Sequence, residues 1–210
     1  MDIQAAIDAL PSIGGKVSIP AGVHPGAPLR LRDNVILTGE GFSTVIPTIE
    51  GVSARIYGAG LRDLICDTAI TTGTPGITID WRNVTNGVFD NVMARGGNIA
   101  LLLAGSAYYN NFNHFFANSA VCAVELSGNA NQNTFTGGKL SAPLMLREIG
   151  DVNGNVMCGT SMEIPMSASL VHFHKYSELS GSEAQQLISR CAMKQVRIEC
   201  LNYGPYWLNY

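Results

Sequence analysis

The chain has 210 residues, of which 46% are hydrophobic and only 14% charged, with 23 glycines and a formal net charge of −3. That length suits one domain with a substantial core, and the charge balance leaves no electrostatic footprint for nucleic acid or an anionic membrane surface. The longest apolar run, Ile99 to Ala104, is too short to span a bilayer, and five cysteines without CxxC spacing indicate neither a zinc site nor a disulfide framework, so no metal or cofactor is expected.

At the start, Asp2 followed by Ile3, Ala6, Ile7 and Leu10 and then Pro11 carries the cap, apolar stripe and stop signal of a short amphipathic helix, residues 1–11. The segment GGKVSIPAGVH predicts a strand and tight turn, and NVILTGEG the first full rung of a repeat. Residues 41–60 are irregular and predict a longer excursion. From about Leu61 to Glu163 the chain then repeats itself. Asn86-Gly87-Val88, Asn110-Asn111-Phe112, Asn133-Thr134-Phe135 and Asn155-Val156-Met157 follow one another at steps of 24, 23 and 22, and Gly105, Gly128 and Gly150 keep the same period in a second column. Strands this short bury an apolar face only by stacking, about 4.8 Å per rung.

The fold predicted is therefore an all-β, right-handed, single-stranded parallel β-helix. Its core would hold a column of Val88, Phe112, Phe135 and Met157, with Leu101, Val124 and Leu146 opposite. The asparagines at 86, 110, 133 and 155 would form a structural ladder on turn backbone. The helix 1–11 would plug one end of a coil domain spanning 1–174. Beyond about residue 175 the pattern fails. Residues 175–210 predict a helix (Glu183 to Arg190), a strand (Gln195 to Leu201) and an aromatic tail (Tyr203, Tyr206, Trp207, Tyr210), together a cap or oligomerisation segment.

Counting back from the closing glycines sets Asp80, Leu102, Glu125 and Arg147 on one outward column, with His172 the next member. Asp80 and Glu125 then lie two rungs apart, about 9.6 Å between backbones, close to the separation that an inverting glycosidase needs between its two carboxyls. Arg147 would steer an acidic sugar. The same column also reads as solvated salt bridges. A second choice is Asp67 with Asp90, followed by His114, at steps of 23 and 24, the spacing of a retaining pair; an ordinary turn contact between Asp90 and His114 is the other reading. Trp81, Tyr108 and Tyr109 offer a sugar-stacking platform beside Asp80, or else an edge of buried aromatics.

The segments IQAAIDALPSIGGKVSIPAG and NVILTGEG resemble the capping helix and first coil of pectate-lyase-like β-helix proteins. The rungs NNFNHFFANSAVCAVELSG and NANQNTFTGGKLS resemble those of bacteriophage tailspikes and tail-associated depolymerases. The resemblance covers roughly residues 2 to 165. It implies a tailspike or tail-fibre protein that binds bacterial surface polysaccharide along the outside of its coil and, in the enzymatic members, cleaves it as a hydrolase or lyase. It further implies a homotrimer located in the virion and assembled in the host cytoplasm. Alternatives are a secreted polysaccharide lyase, hydrolase or epimerase, and a non-catalytic structural or adhesive coil.

Overall fold

A computed structural model describes residues 1–149, 152, 154–164, 192–194, 196–200 and 204–208. The chain is a right-handed parallel β-helix of about 6 turns. Each regular coil crosses three sheets. One is four-stranded, made of Ile77–Asp80, Ile99–Leu103, Cys122–Ser127 and Leu144–Ile149. A narrow sheet pairs Ile56–Tyr57 with Val84–Thr85 and is continued by the bridge from Tyr108 to Asn131. The third, long sheet stacks Gly60–Asp67, Val88–Arg95 and Asn111–Asn118, all parallel, before the next coils divide into Thr134–Thr136 with Lys139–Ser141 and Val156–Cys158 with Ser161–Ile164.

The long strands bend at one left-handed residue in mid-course, Asp63 (φ 51), Asn91 (φ 54) and His114 (φ 50), a position that Gly137 and Gly159 occupy in the next two coils. Only short polar residues, histidine and glycine tolerate that conformation routinely, which is why this column is polar between two apolar halves. Gly138 beside it is obligatory, because a Cβ there would lie 2.0 Å from the Phe115 carbonyl oxygen.

Each sheet turns apolar columns inward. Phe89, Phe112, Phe135 and Met157 align in the long sheet; Ile79, Leu101, Val124 and Leu146 in the four-stranded sheet; and Ile56, Val84, Ala107, Ala130 and Val152 in the narrow one, all buried. The Phe112 and Phe135 rings stack at 4.4 Å and 10°, and Trp81 caps the series edge-on to Phe89 at 4.6 Å.

The asparagine ladder is present from Asn110 to Asn155. Asn110 Nδ2 donates to Asn133 Oδ1, and Asn133 Nδ2 to Asn155 Oδ1, at 2.9 Å each. The same oxygens accept the backbone N–H of Asn110 (3.1 Å) and Asn133 (3.0 Å). Asn86 is not a member. Asn110 stands beside Gly87, whose N–H it accepts at 2.7 Å, and Asn86 is an exposed left-handed bend residue (φ 56) in line with Tyr109 and Gln132. Counting from Asn86 is therefore one residue out, and the core residue beside Phe112 is Phe89 rather than Val88. The Trp81 indole fills the space an asparagine would take. Its Nε1 donates to Asn110 Oδ1 at 3.2 Å, and a Cβ on Gly87 would approach that nitrogen to 2.9 Å.

At the start, Asp2 Oδ1 accepts the Ala5 N–H (2.9 Å) and caps a helix over Ile3–Asp8 whose Ile3 and Ile7 join the core. Arg32 donates to the carbonyls of Ile7 (2.8 Å), Pro11 (2.9 Å) and Leu10, meeting the acceptors that a helix end leaves open. In the irregular interval, a 3-10 turn at Gly41–Ser43 lays Phe42 edge-on against Phe116, 5.4 Å between centroids, over the outward residues Ile65 and Met93.

Past residue 175 the rung pattern, read as failing in the sequence, resumes. Ala192–Lys194 lies parallel to Val156–Cys158, and Val196–Cys200 parallel to Ser161–Ile164. Gly204–Leu208 then folds back antiparallel on Val196–Cys200. The helix expected at 183–190 lies outside the described residues, as do Tyr203 and Tyr210.

Candidate functional site

The first column of candidates is in register. Asp80 lies opposite Leu102, Leu102 opposite Glu125, and Glu125 opposite Arg147. Both carboxylates are committed to arginines. Asp80 receives Arg82 Nε at 2.9 Å on each oxygen and Nη2 at 2.6 Å, and this acceptor raises the Arg82 pKa against the opposing effect of burial. Glu125 Oε2 receives Arg147 Nε at 2.7 Å and also Nη2. The column is largely shielded, with Leu102 only 6% exposed and the side chains of Asp80 and Glu125 12% and 11% exposed. Gly51 lies across Asp80, since a Cβ on it would come within 2.5 Å of Asp80 Cγ; the neighbouring Val52 carbonyl accepts Asn83 Nδ2 at 2.9 Å. His172 lies outside the described residues.

The second pair is taken apart by the register. Gly60 stands opposite Val88, a 28-residue step, so Asp67 faces Arg95 and Asp90 faces Arg62. The extra length sits between the two strands in a 3-10 turn at Thr68–Ile70 and the Gly73–Gly76 loop. Asp67 is buried, caps that turn at the Ala69 N–H (2.8 Å) and binds Arg95 Nε (2.9 Å) and Nη2 (2.6 Å). Asp90 is exposed on the outer face, opposite Asn113 in the next coil, with His114 beside it at the bend. Asp67 and Asp90 are therefore not a carboxylate dyad.

Among the aromatics, Trp81 is wholly buried as the end of the asparagine ladder and offers no sugar platform. Tyr108 and Tyr109 do reach the surface of the narrow sheet. Tyr109 is 55% exposed and its ring centroid is 6.4 Å from that of Tyr108. Two residues that sequence reasoning missed complete this edge. Tyr57, 46% exposed, pairs with Thr85, which precedes Tyr108 in the same outward column. Arg55 places its guanidinium 5.5 Å from the Tyr108 ring centroid and donates from Nη2 to Ser106 Oγ at 2.7 Å. Both lie in the irregular interval, where no constant step connects them to Tyr108; the alternation Ile56/Tyr57 against Val84/Thr85 is the only trace in the sequence.

Among the described residues no group of three or more His, Cys, Asp or Glu side chains is placed to hold a metal ion. Cys66 and Cys122 are fully buried free thiols; burial pushes the Cys122 thiol up to about 12 and that of Cys66 further still.

No protein-family profile and no characterised relative matches the sequence. Solved structures similar in fold include an esterase, a viral protein and an epimerase module. A pectin methylesterase solved in complex with a hexasaccharide is 13% identical, with a TM-score of 0.47 over 99% of this chain and 80% of its own. The protein ORF18 of Geobacillus virus E2 is 14% identical, with a TM-score of 0.45 over 80% of this chain; the match spans about half, 51%, of the viral protein. The A-module of the mannuronan C-5 epimerase AlgE4 of Azotobacter vinelandii is 19% identical, with a TM-score of 0.35, covering 77% of this chain and 71% of the module.

Proposed function

We propose that this chain binds a bacterial surface polysaccharide laid along the outside of its coil, as a phage tailspike or tail fibre does, and that the contact runs along the narrow sheet. The observation that carries this reading is the edge formed by Tyr57, Arg55, Tyr108 and Tyr109, where the exposed rings of Tyr57 and Tyr109 flank a guanidinium held over the Tyr108 ring. Rings present flat apolar faces to sugar C–H groups and hydroxyls to their oxygens. The state of the first column favours binding over cleavage. Asp80 and Glu125 are each engaged by an arginine of this chain, Arg82 and Arg147, and their side chains are largely shielded from solvent.

The test is affinity electrophoresis and calorimetry against capsular and O-antigen polysaccharides, with released reducing ends and unsaturated products assayed alongside. Retention by the wild-type chain is expected, weakened about 3- to 10-fold in each of Tyr57→Ala and Tyr109→Ala, with no new ends formed. Unchanged retention in both variants overturns the edge; product formation lost in Asp80→Asn and Glu125→Gln, with folding intact, restores the catalytic reading. The virion reading includes a homotrimer, and sedimentation equilibrium giving the mass of one chain at micromolar concentration removes that part.

A further inference from the structure

Among the described arginines, four form ion pairs with carboxylates: Arg30 with Glu50, Arg82 with Asp80, Arg95 with Asp67 and Arg147 with Glu125. Arg32 is absorbed by the carbonyls at the helix end. Arg55 differs from all of these. It is held in place, by Ser106 Oγ and the Tyr108 ring, yet no carboxylate among the described residues reaches it. Arg62 is also exposed, in register with Asp90, but among the described residues no ion pair or side-chain hydrogen bond holds it. The nearest acid on the same edge, Asp33, is taken up by the Tyr57 backbone N–H at 2.7 Å. Ser106 is itself anchored, its N–H donating to Asn83 Oδ1 at 3.1 Å, so the support under Arg55 continues into the coil.

An immobilised guanidinium retains most of its five N–H donors and has already lost the rotamer freedom that binding would otherwise cost. Its planar fork fits two oxygens of a carboxylate or phosphate. Tyr57, two residues from Arg55, and Tyr109, next to the Tyr108 ring that Arg55 covers, are both exposed. We infer that the narrow-sheet edge selects an anionic polysaccharide, with Arg55 pairing the charged group of one sugar unit while Tyr57 and Tyr109 stack on its neighbours. This rests on the polysaccharide reading above and adds the charge of the ligand to it.

Matched polymers separate the two ideas. The full chain is tested by affinity electrophoresis against dextran, carboxymethyl-dextran and dextran phosphate, three forms of one backbone. At low salt the charged forms should be bound at least tenfold more tightly than dextran, and the advantage should fall steeply as salt is raised. Whichever charged form is held more tightly identifies carboxylate or phosphate as the preferred group. Arg55→Gln should bring that advantage within about twofold, and Arg55→Lys should keep part of it, because charge is retained and the fork lost. Lys16→Gln, which removes an equal charge from an exposed strand elsewhere, should change nothing. Circular dichroism melts confirm that each variant folds. Equal binding of dextran and its charged forms, or an unchanged preference in Arg55→Gln, overturns the assignment. If that happens while a bacterial polysaccharide is still retained through Tyr57 and Tyr109, only the assignment of charge fails; if no polymer at all is retained, both readings fail.

Discussion

The coils from Val84 to Cys158 and those before them are built from the same strands but connected differently. In the later region partners stand 22 or 23 residues apart: Asn111 opposite Val88, Thr134 opposite Asn111, Val156 opposite Thr134. Earlier, the step is 20 from Gly15 to Val35, 24 from Ile36 to Gly60 and 28 from Gly60 to Val88. Constant steps let identical side chains stack into ladders, which satisfy turn backbone without help from solvent. Variable steps place unlike residues together, and the candidate binding edge forms where Arg55 from the variable region, two residues before the exposed Tyr57, meets Tyr108 from the constant one. On this edge the regular coils contribute Ser106, Tyr108 and Tyr109 and the irregular interval Arg55 and Tyr57.

The sharpest way to break this contrast is at the ladder. Asn133→Ala removes an amide, wholly buried, that donates to the Ala107 carbonyl and Asn155 Oδ1 and accepts from the Asn110 backbone and side chain. Several groups are then left buried without partners, and urea denaturation should show a loss of about 3 to 5 kcal/mol. A loss below about 1 kcal/mol would mean that the ladder does not hold the regular coils. Trp81→Phe tests the point where the ladder ends and the variable region begins. It forfeits the indole N–H on Asn110 Oδ1 and opens a small void against Phe89, with an expected cost of about 2 kcal/mol in the same assay.

What the sequence disclosed follows the same division. The outward column Asp80, Leu102, Glu125, Arg147 was legible because Gly105 and Gly128 both adopt left-handed backbone (φ 60 and 64) and so mark equivalent points of successive coils. Asp67 was mispaired with Asp90 because a 23-residue step was carried back across a 28-residue coil; nothing in residues 68–76 announces five extra positions by periodicity. For Trp81 the sequence leaves platform and buried edge open, and the buried reading holds: Trp81 lies past the strand end, at the corner where Gly87 makes room for it. The ion pairs of Asp80 and Glu125 belong to a third class: the spacing brings acid and base together, while the choice between bridge and catalyst depends on geometry that spacing does not contain.

Two smaller effects sharpen the comparison. Glu125→Gln leaves the half-buried Arg147 guanidinium without its anion in the four-stranded sheet, for about 1 to 2 kcal/mol after allowing for the quarter of the arginine side chain that remains in solvent. Cys66, in the variable region, and Cys122, in the constant one, both hold their protons more tightly folded than unfolded. A raised thiol pKa contributes stability that is complete below the ordinary value of 9.0 and is lost as pH rises from there towards the folded value, for Cys122 about 12. At pH 10 each thiol should cost about 1 kcal/mol relative to pH 8, and Cys66→Ala and Cys122→Ala should each flatten that decline in denaturation midpoints. A stability unchanged between pH 8 and 10 would mean that neither thiol is buried in the native state.

The smallest expected effect is also the most direct test of register. Asn86 and Asn110 are alike in sequence context, each opening an Asn-x-apolar triplet, yet one is an exposed bend residue at φ 56 and the other a fully buried rung of the ladder. Asn86→Gly relieves a left-handed backbone and enlarges the freedom of the unfolded chain, two terms of opposite sign, so its stability should stay within about 0.5 kcal/mol of wild type. Asn110→Gly instead deletes the acceptor of the Gly87 N–H and of the Trp81 indole, together with the donor to Asn133. It should behave like Asn133→Ala. Equal losses at 86 and 110 would put Asn86 back in the ladder, moving Val88 into the core in place of Phe89, and a one-residue shift of that kind turns every outward side chain of the coil to the opposite face. A near-zero change at 86 fixes the face on which Arg62 and Asp90 are presented.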